Sequence, residues 1–493
     1  MFLNRIKMAE RKRIYLCLAH MSEAGFELKF IQEAFDTNWV VPLGPNVNGF
    51  EKDLEEFVSP IDNGQLTMDN SKRVVALSSG TAAVHLALIA CGVKAGDEVI
   101  VQSFTFCASS HPITYLGATP VFVDSEKETW NMDPDLLKVA IKDRIAKTGR
   151  KPKAIVPVAL YGMPYRIDEI MAIANKYDIP VVEDAAEGFG SRFNGQVLGT
   201  FGKYGVLSFN GNKMITTSGG GALITPNEDA WREIMMYATQ YRESYPYYQH
   251  EKIGFNYRMS NICAGIGRGQ MTVADQHIQH HKHVQKLYEE LLKDVKGVTV
   301  HKQPEASPQP SPEGKGALKS HPLGGDTEGA LKSHPSGGEI EGAFDSNYWL
   351  CTITLDPDLK IKGQENAYKT VVQGAVGGAA GVIHVADSAT TDCQPNDNVE
   401  ALRVFMDAAG IEARPVWKPM HKQPVYCRTI ENGELKMENL PCGAICQTSE
   451  TSVAYINGVS EAIFKVGMCL PAGPYVTDDD VKYIVETIKA AIG

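Results

Sequence analysis

Between residues 72 and 225 the chain alternates short β-branched runs with amphipathic stretches: RVVALSS, TAAVHLALIACGV and DEVIVQSF, then KAIVPVAL, IDEIMAIANKYD and IPVVEDAA. This alternation constrains the fold more than any other feature. A β-branched run suits a strand, and consecutive parallel strands need a crossover of a dozen or more residues, which a helix supplies. The pattern predicts an α/β fold with a parallel or mostly parallel sheet flanked by helices. Ligands of such sheets sit beyond the carboxyl ends of the strands, so the residues just after each strand carry most of the functional information.

Charge and composition narrow the function. With a formal charge of -11, the chain lacks the excess of Lys and Arg that nucleic acid binding requires, so no nucleic acid partner is expected. The N-terminal MFLNRIKMAERKRIYLCLAHM has basic residues but no apolar run long enough for a signal peptide. No stretch reaches the ~20 apolar residues of a spanning helix. No membrane association and a cytoplasmic location are the expectation. The ten cysteines are scattered without a CxxC pair, which fits reduced thiols packed as small apolar residues.

Three regions are expected. Residues 1–300 comprise an N-terminal segment and a large α/β domain, mostly helical beyond about 226 and including HIQHHKHVQKLYEELLKDV. Residues 301–345 are rich in Pro, Gly and Ser, with GALKSHP beginning at Gly316 and again at Gly329, and read as a low-complexity insertion. Residues 346–493 form a small α+β domain with a second insertion near 360–396, where GAVGGAAG is followed by an acidic-polar run; VVQGAV and GVIHVA within it also read as strands.

The strand ends fit pyridoxal 5′-phosphate (PLP). That cofactor needs a lysine, an acid for its pyridine nitrogen, a phosphate cradle and an aromatic face. Lys213, in SFNGNKMITTSGGG, follows the strand YGVLSFN; Asp184 ends the strand of PVVEDAAEGFGS, with Ala185 and Ala186 leaving room for a flat ring. Ser79, Gly80 and Thr81 lie between VVAL and the helix AAVHLALIA, where open amides and the helix dipole attract an anion. Ser208 adds a hydroxyl and Phe106, in SFTFCASS, a ring. Singly, these residues read as caps, turns and a solvated lysine; their succession on the strand ends of one sheet carries the inference. The Gly265–Gly269 run lies in a predicted helix and reads as packing. His277 and His281, with His280 and His283 nearby, have metal-pair spacing but no further ligand in view, and read as a solvated helix face with no metal.

Taken together, the segments resemble the DegT/StrS-type nucleotide-sugar aminotransferases over nearly the whole chain apart from the first dozen residues and the insertions. The resemblance rests on FDTNWVVPLGPNVNGFE, LSSGTAAVHLAL, SFTFCASSHPITYLGATPVFVD, ALYGMPYRIDEI, VVEDAAEGFGS, SFNGNKMITTSGGG, NYRMSNICAGIGRGQM and RPVWKPMHKQPVY, in family order. It implies a fold-type I aminotransferase with a seven-stranded sheet, Lys213 as the Schiff-base lysine and proton shuttle, and Asp184 on the pyridine nitrogen. Gly80, Thr81 and Ser208 would hold the phosphate, Phe106 would stack, and Glu187 would lie near the ring hydroxyl. Asn256 would reach the cofactor of a neighbouring subunit, which implies a homodimer with shared active sites. The retained lysine favours transamination over the dehydration chemistry of relatives with histidine there.

The forms EDAAE, YGVLSFNGNK, TTSGGG and GMCLPAG are similar to the branch acting on UDP-linked 2-acetamido-4-keto-6-deoxy sugars, the UDP-N-acetylbacillosamine type, which uses glutamate as amino donor. Asn38, Trp39, Val40, Val41, Trp417, Lys418 and His421 would then line the nucleotide-sugar site. A GDP-linked sugar of the perosamine type and a PLP-binding regulator without turnover are the alternatives.

Overall fold

The computed structural model describes residues 12–59, 72–305, 343–368, 393–426 and 452–493, and the backbone of short strands at 61–62, 65–66, 428–431, 434–437 and 447–448. The β-branched runs form the expected sheet. In one ladder Arg73–Leu77, Gly221–Thr225, Tyr204–Ser208 and Val182–Asp184 lie side by side. The other ladder runs Ala154–Val156, Glu98–Gln102, Thr119–Val123 and Val453–Tyr455, edged by Gln447–Thr448. Parallel bridges of Ile155 to Val181 and Val158 to Asp184 join the two. Gly221–Thr225 runs antiparallel to both its neighbours, while Tyr204–Ser208, Val182–Asp184 and the central strands run parallel. Strand interiors are buried on both faces, which explains why these segments read as continuous apolar runs instead of alternating ones.

Local chemistry sets the helix ends. Asp133 accepts the amides of Asp135 and Leu136, Pro134 opens the helix Pro134–Thr148, and Gly149 closes it at φ 69. The helix Gly80–Ala90 is apolar on nearly every side because it is buried between the sheet and the helix Glu228–Ala238. The glycines of Asn261–Met271 are packing residues: a Cβ at Gly267 would fall 2.7 Å from Phe50 and one at Gly269 2.5 Å from the Glu27 backbone, so they let the helices Phe26–Asp36 and Pro45–Val58 approach.

A second, antiparallel sheet orders Val298–Val300, Cys351–Leu355, Gly467–Leu470 and Arg414–Pro415. The helices Ala274–Leu292, Asp397–Ala408 and Asp478–Ala491 share its core. The C-terminal third does not stay in this layer, since Val453–Tyr455 pairs in parallel with Thr119–Val123 of the large sheet. The N-terminal segment also crosses over, with Ile14 bridged to Ile411. The repeats at Gly316 and Gly329 and the segments VVQGAV and GVIHVA lie outside the described residues. Residues 361–368, expected within the second insertion, belong to the small layer: Ile361 is buried and bridges Ile492.

The reading of His277 and His281 as a solvated face is corrected. They are 4% and 0% exposed and form the inward side of Ala274–Leu292. They lie on the same stripe as the buried Ala274, Ile278, Val284, Tyr288 and Leu292, so the helical period of these apolar residues places both histidines inside.

Candidate active site

The carboxyl ends of the parallel strands and the start of Gly221–Thr225 meet along one edge. After Tyr204–Ser208 the chain turns at Asn210, whose carbonyl accepts the Lys213 amide at 3.0 Å, and Thr217 returns to the Phe209 carbonyl at 3.0 Å. Lys213 is thus held at the sheet edge in a short turn. Its Nζ lies 3.4 Å from Glu187 Oε1 and 4.0 Å from the ring centroid of Trp349. Trp349 Nε1 donates to the Asn212 carbonyl at 2.7 Å. Behind this layer, His277 Nδ1 meets the Met214 carbonyl at 3.2 Å and His281 Nδ1 the Tyr348 carbonyl at 3.1 Å. The two histidines buttress the segments that carry Lys213 and Trp349.

Asp184 ends its strand and is buried. Its Oδ2 accepts Ser109 Oγ at 2.6 Å and its Oδ1 the Ala186 amide at 3.1 Å. Three residues on, Glu187 Oε2 accepts the Tyr161 amide at 2.7 Å. Burial raises the proton affinity of both carboxyls, and the Lys213 charge opposes this in each.

Across the sheet, Ser79 caps the helix Gly80–Ala90 by accepting the Ala82 amide at 3.0 Å. The Gly80 and Thr81 amides have no acceptor among the described residues, as expected for the first turn of a helix. A Cβ on Gly80 would meet the Ser208 Cβ at 3.0 Å, and a Cβ on Gly221 would lie 2.4 Å from the Gly80 nitrogen. Three strand ends therefore close on one small anion-sized cradle that only glycines permit.

Phe106, 56% exposed, follows the Glu98–Gln102 strand with its ring 6.2 Å from that of Trp417. The Trp417 amide donates to Tyr161 Oη at 2.8 Å, and its buried Nε1 has no partner among the described residues. Lys418 is half-buried beside it. His421 is buried, with Nδ1 2.6 Å from Ser103 Oγ and Nε2 3.1 Å from Glu461 Oε1. Its ring nitrogens tie the Met420–Lys422 turn to the end of the Glu98–Gln102 strand on one side and to the helix Val459–Val466 on the other. Asn38, at φ 58, and the exposed Trp39, Val40 and Val41 are anchored by Asn261, which donates Nδ2 to the Trp39 carbonyl and its amide to that of Val41, both at 2.9 Å. Asn256 is exposed on an edge bridged to Thr239.

Reading strand ends finds Lys213 and Asp184, which the structure brings together, and likewise Ser79, Gly80, Thr81 and Ser208; Glu187, implied by the resemblance, joins the first group. That reading misses Ser109, Tyr161 and Trp349. Tyr161 carried a signal, since YG after a strand invites a left-handed turn and Tyr161 has φ 55; Trp349, far along the chain, carried none.

The groups present fit PLP: two amides and hydroxyls for a phosphate, a buried carboxyl for a ring nitrogen, and a lysine near that carboxyl. Comparison with known proteins agrees. Residues 22–313 match the DegT/DnrJ/EryC1/StrS aminotransferase family. EpsN of Bacillus subtilis strain 168, assigned to the pyridoxal phosphate-dependent aminotransferases, is 36% identical over 477 residues, covering 97% of this chain and 95% of that protein. The GDP-perosamine synthase of Escherichia coli O157:H7 is 36% identical over 289 residues, 59% of this chain and 74% of that protein. An aminotransferase structure from Brucella abortus shares the fold, with a TM-score of 0.68 at 22% identity over 95% of this chain and 96% of the other. The chain belongs to the DegT/DnrJ/EryC1/StrS aminotransferase family.

Proposed function

We propose that this aminotransferase moves the amino group of L-glutamate to C4 of a nucleotide-linked 4-keto-6-deoxy sugar, a UDP-linked 2-acetamido sugar of the bacillosamine type. The chain is an aminotransferase and its cofactor is PLP. The observation that carries the reading is the convergence of Lys213, Asp184, Glu187 and the Ser79–Thr81 cradle on one sheet edge.

When bound, PLP supplies an electron sink for the carbon that gains or loses the amine. The residues do the rest. The Gly80 and Thr81 amides and Ser208 Oγ would hold its phosphate at the positive end of a helix. Asp184, kept in place by Ser109 and the Ala186 amide, would hold a proton on the ring nitrogen. Phe106 would cover the ring face. Lys213 Nζ moves the proton at the substrate carbon, acting as base on the donor and as acid on the acceptor. The orphaned Trp417 N–H, buried beside Phe106, supports a ligand contact there, because buried donors are normally paired. Lys418 would meet a phosphate of the nucleotide, and Trp39 to Val41 would border the sugar.

A homodimer in the cytoplasm completes the proposal. Asn256 is exposed close in sequence to Tyr248 and Ile253, 78% and 87% exposed, a surface suited to cover by a second copy. The GDP-perosamine synthase relative favours a second reading, the same chemistry on a GDP-linked sugar.

The test is spectroscopic. Purified protein with PLP should show the visible band of lysine-bound cofactor, glutamate should bleach it, and Lys213→Ala should lack it while keeping its fold. No band in the wild-type protein would defeat the reading. Initial rates should give parallel, ping-pong double-reciprocal lines; turnover of UDP- against GDP-linked ketosugars, with the aminated carbon located by NMR, decides the substrate.

A further inference from the structure

Lys213 Nζ lies between two side chains from distant parts of the sequence. Glu187 Oε1 is 3.4 Å away and the Trp349 ring centroid 4.0 Å away. The Lys213 and Glu187 side chains are only 13% and 5% exposed, and Trp349 is 1% exposed. Neither partner is free to swing. The second oxygen of Glu187 is tied to the Tyr161 amide at 2.7 Å, and Tyr161 holds φ 55 with its hydroxyl accepting the Trp417 amide at 2.8 Å. Trp349 is pinned through Nε1 to the Asn212 carbonyl and through its amide to Asn347 Oδ1 at 2.8 Å. A backbone held in the left-handed region at a non-glycine residue persists only where its surroundings over-determine it, and here it aims an N–H at the carboxylate that faces the lysine.

A carboxylate and an indole face share one preference: both attract an ammonium more strongly than a neutral amine. In a buried setting the attraction between the two charges is stronger than in water, while desolvation works against both. We propose that Glu187 and Trp349 are positioning residues that clamp Lys213 as its ammonium whenever the nitrogen is not covalently engaged, with Glu187 Oε1 receiving its proton on release. The inference rests on the aminotransferase reading, in which Lys213 is the reacting amine. Transfer of one proton from Nζ to Oε1 turns an ion pair into an amine and a carboxylic acid, with no change in net charge. The desolvation that raises the proton affinity of Glu187 favours that acid form.

Other titratable groups face the pair. Asp184 is the second carboxyl, occupied by Ser109 and the Ala186 amide. Cys17 approaches from the N-terminal segment with its thiol pushed up to about 12 by burial, and Cys469 approaches Glu187 from the small sheet, its thiol also pushed up by burial. The Tyr161 hydroxyl is likewise pushed up by burial. All three stay neutral near neutrality, so none replaces Glu187.

The test uses cofactor-free full-length protein, labelled briefly with acetic anhydride at neutral pH, with acetylation of the Lys213 peptide read by mass spectrometry. Glu187→Gln should speed labelling about tenfold or more, the low end of what removing a close opposite charge does to an ionisable group. Glu187→Asp, which keeps the charge, should return it toward the wild-type rate, a rescue that a purely structural role does not predict. Trp349→Phe, with a weaker aromatic face, should give a smaller rise. A wild-type rate in Glu187→Gln, or equal acceleration in Glu187→Asp, overturns the clamp; a wild-type rate in Trp349→Phe removes Trp349 from it. The labelling needs no PLP, so failure of the wild-type protein to form a visible band would strike the aminotransferase reading alone.

Discussion

Glu183 and Asp184 are adjacent, yet the alternation of a strand sends them to opposite faces of the sheet and to different tasks. Asp184 looks into the site. Glu183 is fully buried and accepts the amides of Gly199, Phe201 and Gly202 at 2.7, 3.1 and 3.3 Å, which pins the turn before the strand Tyr204–Ser208 that leads to Lys213. Burial raises it from 4.5 to about 7. Because the folded value lies above the unfolded one, its contribution is fully present below pH 4.5 and is lost as pH rises to about 7. At about 1.4 kcal/mol per pH unit the loss is on the order of 3 kcal/mol. Urea unfolding should therefore show Glu183→Gln gaining on the wild type between those pH values, and parallel pH curves would refute the assignment.

The cradle behaves as one element, built where a helix start meets two strand ends. Its tightest point is Gly221, whose added Cβ would lie 2.4 Å from the Gly80 nitrogen and 2.5 Å from the Ser79 carbonyl carbon. Both are backbone atoms that cannot rotate away. Gly221→Ala should cost about 1–3 kcal/mol, as overpacking does, and should also weaken PLP binding because the Gly80 amide must move. Ser79→Ala removes only the cap on Ala82 and should cost about 1 kcal/mol. Thermal melts with and without PLP separate the two effects: a shift by added PLP that is smaller in Gly221→Ala than in the wild type is expected, and equal shifts would show that the cradle does not hold the cofactor.

At the scale of the molecule, the chain on either side of residues 306–342 is stitched together. The Ser346 amide donates to Gln303 Oε1 at 3.0 Å, the Gln303 amide to Tyr348 Oη at 3.3 Å, and the Asn194 amide to the Ala343 carbonyl at 2.8 Å. Loop length costs little, about 0.6 kcal/mol for each doubling. Replacing 306–342 with a short Gly/Ser linker should leave turnover and the thermal midpoint unchanged; loss of sugar turnover with the visible band retained would show that the segment serves the substrate. The proposed homodimer belongs to this scale too. Mixing Lys213→Ala with Asn256→Ala subunits should restore one intact site per heterodimer if sites are shared, and no recovery would argue that each chain works alone.

What the sequence by itself determined is the part encoded locally. Strand and crossover periods established the α/β class, and the residues just after strands marked Lys213, Asp184 and the Ser79–Thr81 cradle, because a strand end is a local feature and the sheet gathers all its ends on one edge. Family motifs carried the rest. Only the tertiary structure decided that Trp349 lies beside Lys213, that Val453–Tyr455 leaves the small layer for the large sheet, that His277 and His281 are core braces, and that His421 is locked between Ser103 and Glu461. The physical reason is the same in each case. These contacts join residues dozens to hundreds of positions apart, and a histidine or tryptophan has the same local pattern in solvent as in a core; its role is set by what the fold packs against it.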